Sequence, residues 1–313
     1  MRTAIKFKRI NIEVSNICNL KCSFCPEVER SQKVMSVSEF ESLLGKVANV
    51  TEEVVPHLLG EPLNHPHIME LLDTAHRKNV RVNLTTNGVI LSEQRMGVLL
   101  HPALRQVNIS LQSFTDNFKG ASPQTYMAKI SRFVVQAEQL RPDLYINLRF
   151  WDNDVIVNSL SPSDIMVSCS EAFQFSWSDV KVDVRRKKNF KIRDRLYLHF
   201  DSRFIWPRLD SEKLSEKGFC HGLSGHIGIH ADGTVVPCCL DDKGVLALGN
   251  LHTQSLESIL ASPKAQNMLE GFKKGELRED LCQKCDYVKR FSRHARPQKK
   301  DIGKKPLSHF HAT

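Results

Sequence analysis

The sequence lacks a hydrophobic run long enough to cross a membrane. None of its apolar stretches approaches the ~18 to 20 residues that a spanning helix needs. The N-terminal segment from Met1 to Arg9 carries charge, but no apolar stretch with a small-residue cleavage site follows it. We therefore expect a protein without a secretion signal and without membrane contact, which stays in the cytoplasm.

The number of cysteines in the chain is odd. Its nine cysteines are poorly explained as a disulfide framework in a chain of 313 residues, and a reducing compartment would keep them as thiols or metal ligands. No glycine-rich phosphate loop is visible, and none of the 13 histidines belongs to an HExxH pair. The spacing of the cysteines is therefore the main source of functional information.

Acidic residues are fewer than basic ones, 35 against 44, which gives a formal net charge of +9. This excess is local: residues 181–195 carry +6 and residues 289–313 carry +7, so the rest of the chain carries −4. A uniformly basic nucleic-acid-binding surface is thus excluded. With 41% hydrophobic and 25% charged residues, the composition is that of an ordinary globular protein.

Short β-branched runs alternate with amphipathic stretches through the first half of the chain, the pattern of repeated β-α units around a parallel sheet. We predict strands at residues 9–14, 54–59, 80–85, 106–111, 144–150 and 196–200. Helices are predicted at residues 67–78, 92–100 and 124–140, and after Ser36, which has the capping-box spacing with Glu39. Five or more such units favour an α/β barrel or partial barrel over a flat doubly wound sheet.

Three cysteines, Cys18, Cys22 and Cys25, follow the first predicted strand with three and then two residues between them. Three thiolates on one compact loop can hold three irons of a [4Fe-4S] cluster and leave the fourth iron open to another ligand. The alternative is half of a zinc site, although structural zinc needs four ligands.

This CxxxCxxC spacing resembles the signature of the radical S-adenosylmethionine (SAM) superfamily. The resemblance extends over about residues 9–205 and implies a partial (β/α)6 barrel at residues 1–205. It also implies that residues near the first cluster or at strand ends contact SAM: Phe24, Gly60, Glu61, Asn87, Ser110, Gln112 and Arg149. Glu61 is the expected partner of the SAM amino group. Arg149 is expected to meet the SAM carboxylate or, as a catalytic residue, the substrate, with a structural ion pair as the alternative.

A second cysteine set lies beyond Lys217, where the sequence becomes rich in Gly, His and Cys: Cys220, Cys238, Cys282 and Cys285. Gly233 precedes Cys238 at a position that predicts a tight turn into a short hairpin strand. The set resembles the twitch domain, a shortened SPASM-type appendage of radical SAM enzymes with one auxiliary [4Fe-4S] cluster. This implies a small α+β cluster-binding appendage at residues 206–295, followed by a basic flexible tail at 296–313. A four-cysteine zinc ribbon is the alternative.

Two cysteines remain outside these sets. Cys239 directly follows a predicted ligand and is interpreted as a packed thiol, a spare ligand or a catalytic hydrogen-atom donor, whereas Cys169 is expected to pack in the core. His221, His226 and His230 lie near the second set in sequence, and one of them could act as a base.

The resemblance implies an enzyme that cleaves SAM reductively and uses the 5′-deoxyadenosyl radical to abstract hydrogen from a small polar metabolite, sugar-like or cyclitol-like, or from a peptide. Reduced flavodoxin or ferredoxin is the implied electron donor. Oxidation of the substrate radical through the auxiliary cluster is the leading hypothesis, since the inosamine dehydrogenases are similar in layout. Epimerisation with Cys239 as hydrogen donor is the first alternative.

Two further hypotheses rest on the basic segments. Modification of RNA or a nucleotide is suggested by Arg185, Arg186, Lys187 and Lys188 and by the basic tail, and a zinc-ribbon nucleic-acid-binding protein is the non-enzymatic alternative. A run of charges is more often a solvated surface.

Overall fold

The computed structural model describes residues 6–151, 163–182 and 187–291. These residues form one ten-stranded sheet with the order β10-β9-β8-β1-β2-β3-β4-β5-β7-β6. In chain order the strands are β1 (Arg9–Ile12), β2 (Glu53–Val55), β3 (Arg81–Thr86), β4 (Leu104–Ser110), β5 (Tyr145–Trp151), β6 (Asn189–Arg193), β7 (Leu196–Asp201), β8 (His226–Ile229), β9 (Thr234–Val236) and β10 (Gly249–Asn250).

The strands from β8 through β1 to β7 are mutually parallel, and β6, β9 and β10 join antiparallel at the two ends of the sheet. Helices connect the parallel strands through the first half of the chain. The predicted α/β class with a central parallel sheet is thereby confirmed.

The helices are α1 (Val37–Val47), α2 (Ile68–Arg77), α3 (Glu93–Leu99), α4 (Leu111–Asn117), α5 (Gln124–Leu140), α6 (Asp164–Phe173), α7 (Leu256–Leu260), α8 (Pro263–Lys274) and α9 (Asp280–Gln283). The capping box that opens α1 is present: the Glu39 amide donates to Ser36 Oγ over 3.2 Å, and Glu39 Oε2 accepts from the Ser36 amide over 2.8 Å. No helix in the described ranges is both long and apolar enough to cross a membrane.

The two faces of the parallel strands differ in polarity. Ile10 and Ile12 of β1 are fully buried in the apolar core that the helices cover. On the other strand faces, Asn147 Nδ2 donates to Asn108 Oδ1 over 2.9 Å, and Asn108 Nδ2 donates to Asn83 Oδ1 over 2.7 Å. Because side chains alternate along a strand, one face packs against helices while the other presents polar groups to the barrel interior.

Several predicted boundaries are wrong. β2 ends at Val55 rather than at residue 59, because Pro56 has no N–H with which to continue the ladder. Leu111, predicted to end a strand, instead begins α4.

The C-terminal region continues the same sheet. β8 pairs in parallel with β1, and the predicted turn at Gly233, with φ of +84°, joins the antiparallel strands β8 and β9. The domain boundary between residues 205 and 206 stays a prediction. Arg185, Arg186 and the basic tail at 296–313 lie outside the described residues.

Candidate functional site

The loop that carries Cys18, Cys22 and Cys25 follows β1 and is held by the C-terminal end of α4. Asn117 Nδ2 donates to Cys22 Sγ over 3.1 Å, and Asn117 Oδ1 accepts from the Lys21 amide over 3.0 Å. Hydrogen bonds from the Cys25 thiol and the Asn117 amide lower the pKa of Cys22 to about 7, against the opposing effect of partial burial. The loop therefore favours the thiolate form of Cys22, which is the form that binds metal.

Gly60 lies directly against the backbone that leads into this loop. It has φ of +80°, and a Cβ atom at this position would come within 2.2 Å of the Ser15 carbonyl oxygen. The next amide, that of Glu61, donates to the Ile17 carbonyl over 3.0 Å. Only glycine fits this close approach, which places the end of the β2 segment beside the residue that precedes Cys18.

Glu61 and Asn87 connect the segments after β2 and β3 to the cysteine loop. Glu61 is 3% exposed, and its carboxylate accepts from the Leu63 amide over 3.0 Å and from the Asn87 amide over 2.8 Å. Burial raises the pKa of Glu61. Asn87 Nδ2 donates to Asn19 Oδ1 over 2.9 Å. These bonds position the loop, while the contact of Glu61 with a SAM amino group stays a prediction.

The other predicted SAM-contacting residues border the same end of the sheet. Ser110 is buried where β4 ends, and Gln112 Oε1, in the first turn of α4, is buried without a hydrogen-bond partner among the described residues. The Phe24 ring lies 4.9 Å from that of Trp151, centroid to centroid. An unpaired buried acceptor beside an open loop fits a polar ligand at this place.

Arg149 of β5 is in register with Ser110 of β4 and His199 of β7. Its guanidinium group makes no hydrogen bond or ion pair with any residue that the structure describes, but the charge of Asp201 acts on it; the SAM or substrate contact and the ion-pair alternative both stay predictions. Burial lowers the pKa of Arg149. Arg149 is half-buried on the same strand face as Trp151.

The four cysteines of the second set line one cavity of about 390 Å³. Cys282 belongs to α9, Cys285 follows it, and Cys220 Sγ accepts from the Gly222 amide over 3.3 Å. Burial raises the pKa of Cys238 well above its ordinary value. Buried thiols of this kind ionise when a cationic group binds between them.

This cavity fits an iron-sulfur cluster better than a single zinc ion. Its volume of about 390 Å³ is far larger than the ~10–15 Å³ of the same measure that one water molecule needs. In residues 6–151, 163–182 and 187–291, no group of three His, Cys, Asp or Glu side chains converges on the position of one metal ion. Four thiolates around zinc would each lie ~2.3 Å from the metal and leave no such space.

Of the remaining cysteines and the nearby histidines, some line the cavity of the second set and others are buried elsewhere. Cys239 lines the same cavity, as do His221 and His226. Cys169 is fully buried in α6, as expected for a packing residue. His230 is buried, and its Nε2 lies 2.9 Å from the Asp241 carbonyl oxygen. One of its ring nitrogens is therefore already bonded to the backbone.

Sequence reasoning missed three features of this region. One is Arg9, which lines the cavity. Another is a buried ion pair in which Arg30 Nη2 donates to both carboxylate oxygens of Glu13 over 2.8 Å. The third is a row of aromatic rings between the two cysteine sets, formed by Phe24, Trp151, Phe204 and Tyr287. The alternation of polar residues along β1 was the signal that could have indicated Arg9 and Glu13.

Comparison with protein-family models matches two regions of the chain. Residues 12–134 match the radical SAM superfamily, and residues 220–286 match SPASM, an iron-sulfur cluster-binding domain. The two regions contain the first and second cysteine sets, respectively.

Curated relatives match only parts of the chain. A PqqA peptide cyclase of Gluconobacter oxydans is 30% identical over 107 residues, which are 33% of this chain and 30% of that protein. A GTP 3′,8-cyclase of Chlorobaculum tepidum is 25% identical over 216 residues, 66% of this chain and 60% of that protein. The chain thus matches less than a third of the length of the peptide cyclases.

Two solved structures share the fold over most of the chain. BtrN in complex with AdoMet and 2-DOIA has a TM-score of 0.57 at 16% identity, covering 91% of this chain and 94% of that one. SuiB of Streptococcus suis bound to the precursor peptide SuiA has a TM-score of 0.57 at 16% identity, covering 91% and 72%. At this identity the likeness establishes the architecture alone.

Proposed function

We propose that this chain, in which a radical SAM domain is followed by a SPASM domain, is an enzyme that abstracts hydrogen from a small polar metabolite or a peptide and oxidises it. The radical SAM domain binds a [4Fe-4S] cluster and SAM, and the SPASM domain binds auxiliary iron-sulfur clusters. Bound together, the first cluster and SAM supply reductive cleavage of the sulfonium and a hydrogen-abstracting radical.

In this proposal Cys18, Cys22 and Cys25 hold the first cluster. Cys220, Cys238, Cys282 and Cys285, which line one cavity, hold one auxiliary cluster. Four protein ligands fill a [4Fe-4S] cluster, so this second site is suited to accept an electron rather than to bind substrate. Reduced flavodoxin or ferredoxin would supply the electron that starts the reaction.

The residues around the first set position SAM. Gln112 Oε1, which has no partner among the described residues, offers an acceptor, and Phe24 offers an aromatic surface beside Cys25. Ser110 and Asn87 stand at neighbouring strand ends, where barrel active sites collect. Gly60 and Glu61 set the position of the loop.

The observation that carries the proposal is the row of rings joining the two cysteine sets. Ring centroids lie 4.9 Å apart between Phe24 and Trp151, 5.5 Å between Trp151 and Phe204, and 5.4 Å between Phe204 and Tyr287. Phe24 precedes Cys25, and Tyr287 lies two residues after Cys285 and lines the second cavity. A substrate held against this row would lie between the two clusters.

A second candidate function, epimerisation, is favoured by the position of Cys239. Its thiol lines the cavity of the second set without being needed as a fourth ligand there. A thiol that gives its hydrogen atom to the substrate radical inverts a carbon centre instead of oxidising it; the thiyl radical left behind would need one electron, which the auxiliary cluster would supply, and one proton from solvent to become a thiol again. Cys239→Ala is expected to stop an epimerase and to leave an oxidase active.

Anaerobic reconstitution tests the proposal. We expect about eight irons and eight sulfides per chain, the sum of two four-iron clusters, and release of 5′-deoxyadenosine from SAM under dithionite. Cys22→Ala should lose this cleavage, whereas Cys282→Ala should keep it uncoupled from product. Cys169→Ala, which removes a buried thiol outside both sets, is the control and should keep the full iron content. Bound zinc with no 5′-deoxyadenosine from the wild type would reject the proposal.

A further inference from the structure

The last turn of α4 reaches the first cysteine set through one side-chain amide. Asn117 Nδ2 donates to Cys22 Sγ over 3.1 Å, from a position 95 residues further along the chain. Cys18 Sγ, by comparison, accepts over 3.4 Å from the amide of Leu20, two residues away in the same loop. The donor at Cys22 therefore belongs to a separate element of the fold and does not follow from the turn of the cysteine loop itself.

Both ends of the Asn117 side-chain amide are bonded to backbone groups, which fixes its orientation. Its Oδ1 accepts from the Lys21 amide over 3.0 Å, and its Nδ2 donates a second hydrogen bond, to the Ser113 carbonyl, over 2.9 Å. A side-chain amide has two N–H donors on its nitrogen and acceptor capacity on its oxygen. Exchanging the two ends would lose both backbone bonds, because the Lys21 amide can only donate and the Ser113 carbonyl can only accept. The nitrogen is thus held toward the sulfur.

Cys22 is the least exposed cysteine of the first set. It is half-buried, whereas Cys18 and Cys25 are exposed. A hydrogen bond acts more strongly on a charged group where water is partly excluded, because the effective dielectric constant is lower there. The Asn117 amide therefore acts on the sulfur at which a donor has the largest effect.

The neighbouring residue of α4 holds the same loop without a hydrogen bond to a cysteine. Ser23 Oγ donates to Asp116 Oδ1 over 2.7 Å, and the Ser23 amide donates to Asp116 Oδ2. Asp116 thus attaches the loop to α4 at Ser23, and Asn117 attaches it at Lys21. The additional bond from Asn117 to Cys22 is therefore more than attachment of the loop requires.

We infer that Asn117 raises the reduction potential of the cluster held by the first cysteine set, because its amide donates a hydrogen bond to the sulfur of Cys22. The inference rests on the proposed function for Cys22 as an iron ligand. Reduction of a [4Fe-4S] cluster adds one negative charge, and a hydrogen-bond donor at a ligand sulfur stabilises the more negative state. Asn117 is thus a positioning residue that acts through Cys22 and eases the uptake of the electron from the reduced donor.

An EPR-monitored redox titration of the anaerobically reconstituted protein, with dithionite as the reductant, measures this potential. The signal that changes when SAM is added reports the first cluster, because four protein ligands leave the auxiliary cluster no position for SAM. Asn117→Leu replaces the amide by an apolar group of similar size and should lower the potential. At a fixed applied potential we expect the ratio of reduced to oxidised first cluster to fall about tenfold, which is ~59 mV for a one-electron couple.

Asn117→Asp separates the sulfur contact from attachment of the loop. Its carboxylate keeps an acceptor for the Lys21 amide but places an oxygen where the amide nitrogen donates to Cys22. If Asn117 raises the potential by donating to the sulfur, Asn117→Asp should lower it at least as far as Asn117→Leu does. If Asn117 only attaches the loop, Asn117→Asp should keep the wild-type potential and Asn117→Leu alone should differ.

The matched control is Ser23→Ala, which removes the bond from Ser23 Oγ to Asp116 and so loosens the same loop without changing a charge or a contact with sulfur. It should keep the wild-type potential. A wild-type potential in Asn117→Asp or in both Asn117 variants, or an equal shift in Ser23→Ala, would overturn the inference. If one Asn117 variant does not hold the first cluster, the other decides in the same way. Loss of that cluster from both would make Asn117 a structural residue of the loop and also overturns it.

The inference and the proposed function fail separately. Wild-type protein that releases 5′-deoxyadenosine, with Asn117 variants of unchanged potential, would retain the function and lose the role of Asn117. Protein whose first-cluster potential shifts as expected in the variants, but whose wild type does not cleave SAM, would retain that role and lose the function.

Discussion

Gly60→Ala offers the most direct test of how the sheet positions the cysteine loop. The added Cβ atom would lie 2.2 Å from the Ser15 carbonyl oxygen and 3.1 Å from the Ile17 carbonyl oxygen. An ordinary carbon-to-oxygen contact is about 3.3 Å or more, so backbone must move by about 1 Å. Both contacts lie within three residues of Cys18, and the movement is therefore transmitted to the first cysteine set.

The energetic cost has two parts. An alanine at φ of +80° costs about 1–2 kcal/mol relative to glycine, and the overlap adds about 1–3 kcal/mol. We expect a loss of about 2–5 kcal/mol in the free energy of unfolding. A displacement of about 1 Å at a reacting group can lower a rate about 10²-fold, and this is the loss expected in SAM cleavage.

Urea unfolding and the rate of 5′-deoxyadenosine release are the two measurements. Gly120→Ala is a matched control, because Gly120 has φ of +75° but nothing within 4 Å of the added Cβ atom. It should show the conformational cost of about 1–2 kcal/mol and normal SAM cleavage. If the two variants behave alike in both assays, close packing at Gly60 does not position the loop.

Three further predictions concern buried polar groups. Glu13→Gln should lower the free energy of unfolding by about 3–5 kcal/mol, because it leaves the Arg30 charge uncompensated, and urea titration measures this. Asn87→Ala should lower the free energy of unfolding by about 1 kcal/mol in the same assay, since the hydrogen bond to Asn19 is lost. It should also weaken SAM binding at equilibrium; an unchanged SAM affinity would contradict the predicted role of Asn87 at the loop. Burial lowers the pKa of His57 to about 4, so the folded protein keeps this side chain neutral at a pH where the unfolded chain already gains a proton. The free energy of unfolding should therefore fall by up to ~3 kcal/mol as pH drops from about 6.5 to 4. His57→Leu should flatten this pH dependence.

Local patterns predicted most of the β-α units. The helix at residues 124–140 was predicted with the bounds that the structure has, because its apolar residues recur at helical spacing and Pro142 follows its end. The seven-residue helix α4 was missed. Its sequence, with Ser, Thr, Asp and Asn, has weak helix propensity, and it is held by contacts of its last residues with the cysteine loop.

The site residues that sequence reasoning missed depend on pairings across the whole chain. β8 lies beside β1 although 213 residues separate the end of one strand from the start of the other. No local pattern encodes that pairing, so neither the cavity at Arg9 nor its nearness to the second cysteine set could be predicted. Family resemblance supplied the cysteine sets, but the contacts that join the segments carrying them are visible only after folding.

Glu13 explains how two distant cysteine sets can keep a fixed separation. Its carboxylate accepts from the Leu59 amide after β2 and from the Ala231 amide after β8, and it binds Arg30 from the segment that follows Cys25. Arg30 Nε in turn donates to the Asp242 carbonyl over 2.6 Å. One fully buried carboxylate thus joins the first cysteine loop to the segment after Cys238 and Cys239. A buried, fully bonded ion pair keeps the two cysteine-bearing segments at a fixed separation, because no single bond can shift without leaving a charge unpaired.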